Sequence, residues 1–519
     1  MNQSFSKKNI LFCCYTFVIL YSILYFFIGE RLPVYNGLGW DGQTYARYAQ
    51  DFFGYSSTTS DAYHVSRCFP SFIIWAVCKG LKIDLNSARS IFNAFYILNT
   101  FCLLSIIFFW NRICEVKYLK TETFFFGFIS FFFNFTWLKL YFYYPILTDP
   151  FAVTLAIAAL YFSISKSYVF LNLLIIPTII TWPIGIVFIF ILSMYIYPPT
   201  SFSSVEYKTN KWIASLVSFG YFLALVFASY SENFWQSILN AEGSTPLTNH
   251  MTTIAAKFSI LSALIACLYS FFILYSMQPM LLCRNVFNLY LKNIFLYVVF
   301  LIIALILYKY LMHLSPNTVG KVSAIDKTTM FLFLFYNIPL NTLIKPGIFF
   351  TMQIVTWGPV TLMALIYCKQ LFQKAYEENI GLVILLFISF YFSLNSQYRF
   401  NTFLIPFYIY LLCLVLDSMN IRFKFCLYYL LIGIVSSKIY YLINVDPISD
   451  WPSIDEFYTT SLQRYFMNTG YWVSWDGYFI TAGISVIVIF SLYFLLVKYG
   501  MLQKVSIKMS KKVGDEQCN

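Results

Sequence analysis

Apolar runs separated by short polar stretches recur along the chain from residue 10 to residue 497. About 20 apolar residues let an α-helix cross a bilayer, and on that rule the pattern predicts about fourteen spans. They fall at 10–28, 88–110, 122–140, 150–165, 168–181, 183–198, 212–230, 253–276, 293–312, 348–368, 380–395, 401–417, 425–443 and 477–497. The two spans flanking Trp182-Pro183 are short, and the stretch 329–347, with Pro339 and Pro346, reads as re-entrant or surface-lying. The apolar segment 69–83 is too short to cross and reads as a helix lying in the interface.

Composition narrows the class. The 519 residues are 60% hydrophobic and 11% charged, with a mean hydropathy of +0.70. Soluble domains carry roughly a quarter charged residues, so the chain reads as an all-α polytopic membrane protein. Its 58 Phe and 43 Tyr read as lipid-facing bulk and interfacial belts. The 12 cysteines are scattered, with no Cys-x-x-Cys and no Cys/His cluster, so neither a disulfide framework nor a zinc site is expected. No linker interrupts the chain, so 1–519 reads as one transmembrane domain. The first run is too long for a signal-peptide core and reads as an uncleaved helix.

The net charge of +12 is dispersed among loops, which points to membrane topology and not to nucleic acid. With the N-terminus inside, nearly every inner loop holds a basic pair: Lys117 and Lys120, Lys208 and Lys211, Arg284 and Lys292, Lys369 and Lys374, Arg422 and Lys424. The positive-inside rule therefore puts both termini in the cytoplasm of a multi-pass cell-membrane protein, in style a bacterial inner-membrane one. The outer face receives the first loop (29–87), the loops 139–150, 231–252, 313–347 and 395–402, and a late segment (444–476) long enough for a small helical cap. His64, His250 and His313, and most of the acids, also fall outside. Chemistry is expected on that face.

The segment GLGWDGQTYARYAQ (37–50) directly follows the first span. An acid near the hydrocarbon boundary is costly unless solvated, paired or used. Around Asp41 stand Trp40, an interfacial anchor, Gly42, which permits a tight turn, and Gln43 and Tyr45, which add hydrogen-bonding groups. The plain alternative is that Asp41 caps a helix beginning at Gly42. The later SWDGYF (474–479) repeats Trp-Asp-Gly at the start of the last span and reads as the same cap-and-anchor device used twice. Further candidates are Asp149, Arg67, Arg399 with its neighbour Tyr398, His64 and Trp182. Three roles fit Asp149: holding a divalent cation, orienting an acceptor hydroxyl, or starting a helix with Pro150 at its first position. Simpler readings exist for the others too: snorkelling for Arg399, surface solvation for Arg67 and His64, and interfacial anchoring for Trp182.

Trp-Asp-Gly-x-x-Tyr just after the first span resembles the first outer loop of GT-C-fold glycosyltransferases, in particular the GPI mannosyltransferase II group and its bacterial relatives. Asp149-Pro150, in YYPILTDPFAVTLA (143–156), is similar to the acid-Pro pair such families carry at the outer end of a helix. The resemblance implies a GT-C-like fold and an inverting sugar transfer from a polyprenyl-phosphate donor to a glycan or lipid-linked acceptor on the outer face. It makes Asp41 the general base. Developing phosphate charge calls for cationic donors, and arginine's planar fork suits a phosphate, which singles out Arg67 and Arg399. No cofactor is certain on this reading, and a divalent cation remains open. The rivals are an O-antigen-type polysaccharide polymerase, weakened by few outer arginines beyond Arg67, Arg399 and Arg464, and a lipid-linked-sugar flippase, weakened by the lack of internal repeats. The acids cluster outside and not mid-span, and Lys438, within the span 425–443, is placed to snorkel.

Overall fold

The computed structural model describes residues 6–56, 62–194, 211–230, 246–281, 291–313, 338, 342–395, 397–445 and 473–502. Within them the chain is helical, with no strand. Six helices are long and apolar enough to cross a membrane: Lys7–Ile28, Ala88–Val116, Trp212–Tyr230, Phe258–Met277, Asn293–Leu311 and Trp475–Lys498. A seventh span is counted if Thr121–Phe132 and Thr136–Tyr143 are one helix bent by 57°. The remaining apolar segments form helices of 10–17 residues, so the membrane-embedded class stands while the count of fourteen does not follow from helix length.

Where the apolar pattern reads as unbroken, the backbone is often broken. The 348–368 segment splits at Gly358-Pro359 into Ile348–Trp357 and Val360–Ile366, Gly358 taking a positive φ of 74°. The 168–181 segment becomes Tyr168–Leu173 and Ile175–Ile179. The stretch holding Lys369 and Lys374 is itself an amphipathic helix, Cys368–Glu378. Phe69–Leu81 is a helix as expected, burying Ile74 and Cys78 and exposing Val77 and Leu81. Of the stretch 329–347, only residues 338 and 342–347 are described, the latter as turns. The late segment lies outside the described residues from 446 to 472.

Aromatic residues fill the interior as well as the surface. Trp110, Trp137, Trp357, Tyr141, Tyr143, Tyr367, Tyr410 and Tyr429 are fully buried, while Phe12, Phe27, Phe227 and Phe494 are exposed. Belts and lipid-facing bulk therefore account for only part of the Phe and Tyr content.

The bent helix pair positions the site. At its break Asn134 donates to the carbonyls of Ser130 (3.1 Å) and Phe131 (3.0 Å) and accepts the Trp137 amide (3.2 Å). Backbone groups freed by the bend thus find partners inside an apolar core, where an unpaired one is costly. Beyond the bend, Asn99 donates to the carbonyls of Tyr141 (3.0 Å) and Pro145 (2.9 Å), pinning the chain that leads to Asp149.

Half-buried carboxylates tie loops together at both ends of the bundle. At one end Lys117 pairs with Glu378, which also accepts the Tyr410 hydroxyl, and Asp417 accepts the Lys120 amide and the Thr123 hydroxyl. At the other, Glu30 accepts Lys139 and the amides of Ile443 (2.8 Å) and Asn444 (2.7 Å). Lys438 does not snorkel. It is buried, with its ammonium 4.8 Å from the Phe135 ring centre.

Candidate functional site

Asp41 precedes the helix Gly42–Gln50 in the capping position, but its side chain makes no capping bond. Its backbone is helical there (φ −64°, ψ −28°), whereas a capping side chain needs extended backbone. The carboxylate instead accepts the Tyr63 hydroxyl at 3.2 Å, and that hydroxyl accepts Arg67 Nη1 at 2.8 Å. The second Trp-Asp-Gly is not equivalent. Ser474 caps the last helix by accepting the Gly477 amide, and Asp476 sits exposed in its first turn. The sequence likeness of the two segments is therefore no sign that Asp41 is a plain cap.

Glycine has two uses in this loop. The tight turn belongs to Gly39, with φ of 65°, and not to Gly42. A Cβ on Gly39 would lie 2.5 Å from Tyr144 Cζ, and one on Gly42 would lie 3.1 Å from Ile146. The loop consequently rests on the chain leading to Asp149, and the Gly42 amide donates to the Tyr144 hydroxyl at 3.2 Å.

Asp149 opens the helix Asp149–Ile164 and is fully buried. It accepts two bonds from Arg399, Nε to Oδ1 at 3.0 Å and Nη2 to Oδ2 at 2.8 Å. Arg399, its side chain 23% exposed, is thus held by a carboxylate and does not snorkel. Both Asp149 oxygens are engaged, and among the described residues no group of three His, Cys, Asp or Glu side chains gathers as a metal site would require. The residues do not fit a divalent cation.

Trp182 joins the two halves. It is 4% exposed, which excludes an interfacial anchor, and it lies 4.9 Å from the Arg67 guanidinium and 6.0 Å from that of Arg399. The Phe69 amide donates to the Ile180 carbonyl (2.9 Å), fixing the loop after the first helix beside this turn. Gly185 lets Thr178 and Phe403 close around it, where a Cβ would come within 2.8 Å of each. Arg67 is half-buried between Trp182 and the Tyr63 ring, 4.2 Å away, so it is not merely solvated.

Asp41, Tyr63, Arg67, Trp182, Arg399 and Asp149 therefore form one continuous chain of contacts. Beneath it lies Tyr45, fully buried and close enough to Asp41, Tyr63, Arg67 and Arg399 to feel their charges. Burial holds its hydroxyl well above the usual tyrosine range, so it stays neutral. His64 meets the Tyr45 and Tyr63 rings edge-on, at 5.5 and 5.0 Å. Trp40 and Gln43 are half-buried at the head of the loop, the Gln43 amide donating to the Trp40 carbonyl. The side chains of Tyr398, His250 and His313 fall outside the described residues. Among the described residues, buried polar atoms here without a hydrogen-bond partner include Tyr45 Oη, Trp182 Nε1, and the hydroxyls of Thr148 and Thr402, which flank the Asp149–Arg399 pair in sequence. Such groups ordinarily find one.

Two residues escape the sequence reading. Tyr63 is one of 43 tyrosines, and only its four-residue spacing to Arg67 hints at a role. Tyr144 carries no signal of its own. No family model, curated protein or solved structure matches the chain.

Proposed function

We propose that the protein is an integral-membrane glycosyltransferase of GT-C type, moving a sugar from a polyprenyl-phosphate donor to a glycan or lipid-linked acceptor on the extracytoplasmic face. The observation that carries this reading is the contact chain in which an uncapped carboxylate, Asp41, stands beside two guanidiniums sharing Trp182. A base and a phosphate clamp are the two things an inverting transfer from a sugar phosphate needs.

In this mechanism the acceptor oxygen forms a bond to the anomeric carbon while the bond from that carbon to the phosphate oxygen breaks. The acceptor proton passes to Asp41, and the electron pair of the broken bond leaves with the polyprenyl phosphate. Charge grows on that phosphate as the ring gains oxocarbenium character, and Arg67 and Arg399 stabilise it where it develops. Asp149 serves as a positioning residue that fixes Arg399. Tyr63 orients Asp41 and Arg67 together, and the unpaired Tyr45, Trp182, Thr148 and Thr402 atoms offer donors to substrate hydroxyl and phosphate oxygens. The basic pairs in alternate loops of the sequence support placing this site outside, with those loops and both termini in the cytoplasm.

The test is sugar transfer in membranes from cells overproducing the protein, with labelled polyprenyl-phosphate sugars as donors. Label should move to a lipid-linked or polymeric product only when the protein is present. Movement of the intact donor across the bilayer without any transfer would overturn the reading.

A further inference from the structure

At the basic end of the bundle, opposite the candidate site, a cavity of about 480 Å³ opens between the last residues of the helix Trp475–Lys498 and the start of Phe423–Ser437. Arg422, Lys424 and Lys498 line it, and among the described residues no acid does. None of the three forms an ion pair among the described residues. The nearby Asp417 is taken up by the Lys120 amide and the Thr123 hydroxyl. Among the described residues, three cations therefore share a small volume without a neutralising carboxylate, an arrangement that repels itself unless an anion enters.

Apart from Asn420, whose side-chain oxygen accepts Lys120, and Gly500, the rest of the lining is apolar or aromatic. Phe425 is buried, with Tyr499 packed edge-on at 5.6 Å, and Ile421 and Met501 complete the floor. Lys498 lies 4.2 Å over the Tyr428 ring, which fixes its ammonium near the mouth. The helix that ends at Lys498 is long and apolar enough to cross a membrane, so its end marks headgroup depth. A pocket that is cationic on top, apolar below and set at that depth matches an amphiphile with an anionic head.

We propose that this pocket binds the phosphate headgroup of an anionic membrane lipid, with Arg422, Lys424 and Lys498 contacting the phosphate and Phe425, Ile421 and Met501 contacting the upper acyl chains. Basic pockets between helix ends are a recurrent way to hold such lipids, and Arg422 supplies the planar fork that suits phosphate oxygens.

The test uses the full-length protein, purified in detergent and offered phosphatidylglycerol or phosphatidylcholine, with bound lipid read by native mass spectrometry. Wild type should retain phosphatidylglycerol through delipidation and release phosphatidylcholine. The triple variant Arg422→Ala, Lys424→Ala, Lys498→Ala should retain at least about tenfold less phosphatidylglycerol. The three residues are exposed, so the fold should survive. Two wild-type measurements guard against a variant that misfolds: phosphatidylglycerol should raise the melting temperature, and 1 M salt should abolish that rise. Equal retention of the two lipids by wild type, or undiminished retention by a folded triple variant, overturns the proposal. A rise produced equally by inorganic phosphate alone overturns the lipid as occupant.

Discussion

Arg399 and Asp149, 250 positions apart in sequence, are joined by two parallel hydrogen bonds of 3.0 and 2.8 Å. The carboxylate is wholly buried, and Arg399 is the cation that pairs with it. Removing one member of a buried pair typically costs about 3–5 kcal/mol. Arg399→Ala should therefore lower the melting temperature clearly, and Arg399→Lys should keep the charge but lose the two-pronged grip. In a transfer assay the lysine variant should act mainly through reduced kcat, with expression near wild type.

Tyr63 gives a cleaner separation of stability from activity. Its hydroxyl bridges Asp41 and Arg67, yet the residue is 45% exposed and contributes little to the core. Tyr63→Phe should leave the melting temperature almost unchanged while lowering transfer about tenfold, the value of a lost hydrogen bond to charged groups. The ring remains to stack under Arg67, so a larger loss from Tyr63→Ala would measure the stacking.

Gly39→Ala places a methyl group 2.5 Å from Tyr144 Cζ at a backbone angle that only glycine adopts cheaply. The variant should lose about 1–3 kcal/mol of stability, and Gly80→Ala, where nothing lies within 4 Å, should lose far less. Thermal melting of the two in parallel checks this.

Lys345 introduces a pH dependence. It lies in the turn before Ile348–Trp357, buried, donating to the Val473 carbonyl at 2.8 Å with its ammonium 5.1 Å from the Trp475 ring. The indole face favours the charged form, but burial outweighs it and pulls the pKa from 10.5 down to about 7. Between those values the unfolded chain holds a proton that the folded protein has released. Stability should accordingly rise as pH rises from about 7 towards about 10.5. Melting curves across that window should flatten in Lys345→Met.

Much of the site was legible because charge is rare in this chain. Asp41, Arg67, Asp149 and Arg399 stand out as charged residues at apolar boundaries, and Trp182 through its proline neighbour. Their pairings were not legible. Asp149 and Arg399 meet across 250 positions of sequence, and neither residue advertises its partner. The bend escaped notice because no proline or glycine marks it; an asparagine satisfying local backbone groups does the work instead. Gly358-Pro359 did carry the usual punctuation, yet the apolar residues around it read as one continuous span. Tyr63 illustrates the opposite difficulty: in a tyrosine-rich chain, another tyrosine conveys nothing until its hydroxyl is seen between an acid and a guanidinium.

The central claim rests on the Asp41 carboxylate as the base that takes the acceptor proton. Its most direct test is the rate of sugar transfer by purified Asp41→Asn beside wild type, with the melting temperatures of both recorded. The carboxylate makes no capping bond, so the asparagine variant should melt within a few degrees of wild type and transfer about 10²- to 10⁴-fold more slowly, the usual worth of a general base. A folded Asp41→Asn protein that transfers sugar at the wild-type rate would contradict the account.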